Sequence, residues 1–200
     1  MRLIQRCSVV AAAVALAGSA WAADVYQVDP AHTTVGFAIT HMVINTVHGR
    51  FKDVAGSVTV DPDASNALMS AQATIQVASV DTGIDKRDNH LRSPDFFDAQ
   101  KYPTITFVSK RVDAQGGQPV LVGDFTMHGV TKELSLPITL KGPIKDPWGN
   151  LRIGISATGS LNRKDYGVSW NKTMDAGGLM LGEDVQIQID AEAVKQAAKH

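Results

Sequence analysis

The sequence predicts an all-β protein with a short helical insertion, its strands closing into an antiparallel β-barrel of about eight. Apolar residues alternate with polar or small ones at period two through most of the chain, and Gly, Pro and Asp clusters recur between the alternating runs. Only between Asp81 and Phe107 does a charged, helix-like pattern interrupt them. A closed barrel is favoured over a sandwich because closure leaves no unpaired strand edge.

The chain opens with Arg2 and Arg6, an apolar run from Val9 to Ala17, and the small-x-small site Ala20-Trp21-Ala22. This is the layout of a cleavable secretory signal, so residues 1–22 are expected to be a signal peptide and residues 23–200 a single exported domain. The apolar run falls short of the ~20 residues that span a bilayer, and no integral membrane segment is expected after processing. Cys7, the only cysteine, is expected to leave with the leader, so the domain cannot lean on disulfides. Losing Arg2 and Arg6 leaves 17 basic side chains against 20 acidic ones, which offers nothing to nucleic acid.

In the domain itself, Thr33, Val35, Phe37, Ile39 and His41 share one face of a strand, with Thr34, Gly36, Ala38 and Thr40 on the other. Extended structure continues through Gly49-Arg50-Phe51 and Gly56 to Val60, and Asp61-Pro62-Asp63 makes a turn. Met69, Ala71, Ala73, Ile75 and Val77 alternate up to the interruption. There, Ile84 to Arg92 reads as a short helix with Ile84 and Leu91 two turns apart and Asp88 placed to meet Arg92. Ser93-Pro94 suits an N-cap and first helical position, which predicts a second helical turn carrying Phe96 and Phe97. Tyr102 before Pro103 starts a strand through Val108. Gln115-Gly116-Gly117-Gln118 and His128-Gly129 connect the next strands. Leu134, Leu136, Ile138 and Leu140 then share a face, with Pro137 tolerable only near an edge or irregularity. Asp146 to Asn150 turns the chain into Leu151, Ile153, Ile155 and Ala157, and Val185, Ile187, Ile189 and Ala191 end the pattern.

The run SVDTGIDKRDNHLRSPDFFDAQKYPTITF from Ser79 to Phe107 resembles the signature of the YceI-like family, periplasmic proteins of lipocalin-like shape associated with polyisoprenoid binding. The resemblance continues in GDFTMHGVTKELSLPI from Gly123 to Ile138 and LNRKDYGVSWN from Leu161 to Asn171. It implies a lipocalin-like barrel in the periplasm that carries or sequesters a long-chain isoprenoid or similar amphiphilic lipid, of polyprenyl phosphate or prenyl quinone type. The alternative is a periplasmic enzyme or stress factor acting on such a lipid or quinone.

Val35, Phe37, Ile39, Ile75, Val77, Ile105, Phe107, Leu136, Ile138, Ile153, Ile155, Ile187 and Ile189 are the candidates for an apolar interior. Alternation alone leaves two outcomes open: these side chains fill one another's space, or they line a tunnel, and it does not say which face is inward. The resemblance implies the tunnel. Each isoprene unit buried there is worth ~4 kcal/mol before ordering costs, at about 0.8 kcal/mol per carbon. Among the plug's charges, Arg87, His90 and Arg92 are candidates for a ligand headgroup at the mouth, although Asp85, Asp88 and their basic neighbours could equally neutralise one another on a solvated helix. Asn162, Arg163, Lys164 and Asp165 read as a turn-stabilising cluster.

The six histidines show no metal-binding spacing, and the mature chain has no G-x-S-x-G elbow and no cysteine nucleophile. No metal, no cofactor other than a bound isoprenoid or fatty lipid, and no catalytic activity are expected. The pattern is compatible with a homodimer.

Overall fold

Period-two alternation becomes strands through most of the chain in the computed structural model, which describes residues 23–63, 67–175 and 177–197. The expected signal peptide lies outside the described residues. The strands are β1 (Asp24–His41), β2 (Asn45–Phe51), β3 (Val54–Asp61), β4 (Ala67–Gln76), β5 (Val80–Asp81), β6 (Thr104–Gln115), β7 (Gln118–Met127), β8 (Val130–Lys145), β9 (Leu151–Asn162) and β10 (Leu181–Lys195). One helix, α1 (Asp85–Arg92), follows β5. Neighbours pair antiparallel in the order β10-β9-β8-β7-β6-β4-β3-β1, and β1 pairs with β10 to close an eight-stranded barrel, with β2 and β5 as additional strands.

Pro30 explains how β1 serves two partners. It has no N–H to give a ladder, and the β1–β10 register shifts between Asp29 and Thr34, where the Asp29 carboxylate accepts from Ala31 N and the Thr33 hydroxyl donates to Asp29 O. The strand bends at this bulge. Its first part pairs with β3 and its second with β2. At the break between β2 and β3, the Ser79 hydroxyl accepts from Lys52 N at 3.1 Å and Asp53 N at 3.0 Å.

Two buried clusters divide the barrel along its axis. Tyr26, Val60, Leu68, Ile138, Ile153 and Ala193 pack together where β1 and β3 begin and end, at the end away from α1. Val35, Phe51, Val77, Phe96, Ile105, Met127, Tyr166 and Val168 form the other, under α1 and the turns that follow it.

Several expectations change. Ser93 is the C-cap of α1, its hydroxyl donating to His90 O, and residues 94–97 form turns in place of a second helix. Ile84 is the N-cap, in extended conformation and 52% exposed, so it stands outside the helical periodicity that relates it to Leu91. Asp88 does not serve Arg92: it is 5% exposed and accepts from Thr82 N at 2.9 Å and Thr82 Oγ1 at 2.5 Å, which ties α1 to the end of β5. Pro137 lies inside the long strand β8, opposite Val120 of β7, and not at a sheet edge. The irregularity expected there takes another form: the β8–β9 ladder begins at Ile138↔Ala157 and runs away from the plug end.

Candidate functional site

Barrel closure turns one face of each strand inward, and between the two clusters those faces enclose a cavity of about 380 Å³. The size lies within the range of about 300–1,000 Å³ usual for small-molecule sites. All the apolar interior candidates border it except Val77 and Ile153. Val77 has left the strand: β4 ends at Gln76, a 3-10 turn covers Val77–Ser79, and Val77 N donates to Pro103 O while its side chain packs in the plug-end cluster. Ile153 is 1% exposed and packed in the cluster at the opposite end, where the barrel is solid.

Glycines keep the lumen open. Gly49 lies opposite Phe37 on β2, and a Cβ there would come within 2.3 Å of the Phe37 ring. A Cβ on Gly123 would meet Phe107 Cζ at 2.7 Å. The two rings therefore lie against bare backbone along the wall, where a side chain beneath would push them inward. This was not legible in the sequence, because the pairs come from different strands and register decides them.

At the plug end, Leu91, Phe96, Phe97 and Trp170 close over the cavity. The His90 ring meets Phe96 edge-on at 4.9 Å and Trp170 at 5.0 Å, and Phe96 and Trp170 stand 5.1 Å apart. His90 Nε2 is held 2.9 Å from Asp95 Oδ2. Arg87 donates through Nε to Thr82 Oγ1 and through Nη2 to Thr82 O, extending the Thr82–Asp88 link. Both Arg87 and His90 border the cavity. Arg92 does not: it donates to Ala78 O, Val80 O and Asn89 Oδ1, clamping the plug to the chain entering it.

Arg163 is the residue that sequence reasoning placed differently. Its neighbours do stabilise the turn: Asn162 accepts from Lys164 N, Lys164 pairs with Glu183, and Asp165 pairs with Lys132. Arg163 itself turns inward, is 3% exposed and borders the cavity. Burial lowers its pKa from the ordinary guanidinium value, against the pull of Glu183, and an arginine so placed remains charged. The signal available was the alternation of β9, which puts residue 163 in phase with Ile155, Ala157 and Leu161.

A second polar group lies at the opposite end. Arg152 donates to Asp29 Oδ2 at 2.8 Å, Asp146 Oδ2 at 2.9 Å and Glu192 Oε2 at 3.1 Å. His32 Nδ1 lies 2.9 Å from Asp29 Oδ2, so Asp29, His32 and Glu192 converge although no sequence spacing relates them. Arg152 satisfies the carboxylates, and the group ties β1, β9, β10 and the turn before β9 together. The guanidinium of Arg152, helped by His32, holds the Asp29 carboxyl down at about 2, and the same guanidinium lowers that of Asp146 further.

A closed antiparallel barrel, solid at one end and hollow beneath an apolar lid at the other, defines a lipocalin-like binding architecture. The YceI-like domain profile matches residues 26–193, and the chain belongs to this family. The YceI protein of Escherichia coli O6:H1 is 40% identical over 182 residues, covering 90% of this chain and 91% of that protein. A UPF0312 protein of Photorhabdus laumondii is 40% identical over 176 residues, covering 87% of this chain and 88% of its own. Among solved structures, BcnA of Burkholderia cenocepacia superposes with a TM-score of 0.71 at 27% identity, covering 83% of this chain and 99% of BcnA. A domain from Saccharophagus degradans described as polyisoprenoid binding shares the fold, with a TM-score of 0.61 at 16% identity over 86% of this chain and 98% of that domain.

Proposed function

We propose that this protein is an exported, non-catalytic carrier or sequestering protein for a single long-chain isoprenoid or similar amphiphilic lipid, held with its tail in the barrel and acting in the periplasm. The observation that carries the proposal is the cavity wall, built from aliphatic and aromatic side chains of nine strands and bordered at the plug end by Leu91, Phe96, Phe97 and Trp170. An apolar chain is the guest that such a wall stabilises, at ~0.8 kcal/mol per buried methylene. Five isoprene units at ~4 kcal/mol each would approach the practical limit of about −18 to −21 kcal/mol for non-covalent complexes, so cavity length, more than affinity, selects the chain. The polyisoprenoid-binding description of the Saccharophagus degradans domain agrees with this ligand class.

The test uses protein purified from its native soluble fraction. Intact-mass analysis is expected to show Ala23 as the first residue, and mass spectrometry of the organic extract one long-chain lipid per protein. Protein that yields no lipid and takes up no added long-chain prenol would sink the carrier proposal.

A further inference from the structure

Arg163 holds a donor that the protein leaves unused. Its Nε donates to Gly182 O at 2.9 Å, and its Nη1 donates to Val168 O at 2.7 Å and Trp170 O at 2.9 Å. Nη2 is buried and faces no acceptor among the described residues. A buried donor left unmade is costly, and more so when it is charged, so this one calls for a partner, either an ordered water or an occupant of the cavity. Nor does a carboxylate neutralise the guanidinium directly: all three bonds that it makes end on backbone carbonyls, and nearby Glu183 is paired with Lys164.

No carboxylate among the described residues enters the cavity lining either: Asp88 and Asp95 of the plug stand outside it, bonded to Thr82 and His90. The ionisable side chains that border it are Arg87, Arg163, His41 and His90, with no Asp or Glu among the described lining residues. Arg163 stands beneath the lid, since the Trp170 carbonyl it holds belongs to the residue whose ring meets His90 and Phe96. With Nε and Nη1 committed to backbone, Nη2 is the part of this side chain that can engage an occupant.

Resting on the carrier reading above, we infer that Arg163 is the headgroup-binding residue, and that the lipid carries an acidic oxygen head, a phosphate or a carboxylate, drawn beneath the lid to accept a hydrogen bond from Arg163 Nη2. The head is then inside the barrel, under the plug and not on its outer surface. A neutral alcohol or ester satisfies the donor without neutralising the charge and binds more weakly.

Delipidated protein is titrated with two matched pairs: geranylgeranyl monophosphate against geranylgeraniol, and oleic acid against methyl oleate. The acidic member of at least one pair is expected to bind tighter by about 10-fold or more, the factor of a charge-assisted hydrogen bond. The pair showing the larger ratio separates a phosphate head from a carboxylate. In Arg163→Met the ratio collapses while the neutral member still binds; in Arg87→Met it persists. Because Arg163→Met also loses three carbonyl bonds, the wild-type protein provides a second readout, in which the Arg163 guanidinium NMR signals shift with the acidic probe and not with its neutral mate. Equal binding of acid and neutral probe, or a preference lost in Arg87→Met and kept in Arg163→Met, overturns the inference alone. Failure of all four probes to bind overturns the carrier reading with it.

Discussion

Tryptophan placed at two neighbouring inward positions of β9 distinguishes a cavity from a filled core. Ile153 and Ile155 are two residues apart and face the same way, but Ile153 is opposite the fully buried Ala193 in the solid end, while Ile155 is half-buried and borders the cavity. At position 153 an indole has to displace packed atoms, which costs about 1–3 kcal/mol. For a domain of this size each kcal/mol moves the melting temperature by roughly 2–4 °C. Ile153→Trp is therefore expected to melt roughly 2–12 °C lower, working from both ranges. In Ile155→Trp the ring enters open space, so lipid-free protein is expected to melt within about 2 °C of wild type, below the smallest shift that overpacking gives. The same variant is expected to lose most of its co-purified lipid, whereas folded Ile153→Trp keeps it. Differential scanning calorimetry of delipidated protein and quantitative lipid analysis are the two assays. An equal fall in melting temperature for both variants would refute the cavity, and a full lipid load in Ile155→Trp would show that the lipid lies elsewhere.

The lid and the far end give two further expectations. Leu91→Asp puts a charge against Phe97 and the cavity, so both a lower melting temperature and faster release of a bound prenol are expected; stability falling with release unchanged would leave the plug a purely structural role. At the far end, Asp29 and Asp146 titrate lower in the folded protein than unfolded, so their contribution is complete above the unfolded value near 3.8 and disappears as pH falls through about 2. Arg152→Met removes their shared partner. It is expected to melt below wild type at pH 7, with the gap closing between pH 4 and pH 2, and a gap constant across that range would show that packing, not charge, is what Arg152 supplies.

Much of the strand pattern was legible because each strand is half-buried, and half-burial writes itself as alternation. The plug was legible as a break in that pattern, and the Pro137 irregularity as a missing donor. What misled were local signals that tertiary bonds outbid. Ser93-Pro94 has the form of a helix start, yet its serine closes α1. Asp88 has the spacing for Arg92, yet the unsatisfied Thr82 N–H and hydroxyl lie within its reach and take it inward. Arg163 was read with its polar neighbours in sequence, although the strand period already set it apart from Lys164.

By itself, the sequence determined that this is a β protein with a helical plug, where several of its turns fall, and which side chains share a face. Through its three motifs it also pointed to the family. Alternation makes two faces different without saying which is inside; that is decided by β1 meeting β10 from the other end of the chain, which closes the sheet and commits one face to the interior. Whether the interior is filled or hollow depended on cross-strand register, which seats Phe37 over Gly49 at one level and Ile153 against Ala193 at another. The unpaired Nη2 of Arg163 is likewise a tertiary fact: the same side chain becomes a turn residue or a buried donor according to what the strands around it bring within hydrogen-bond reach.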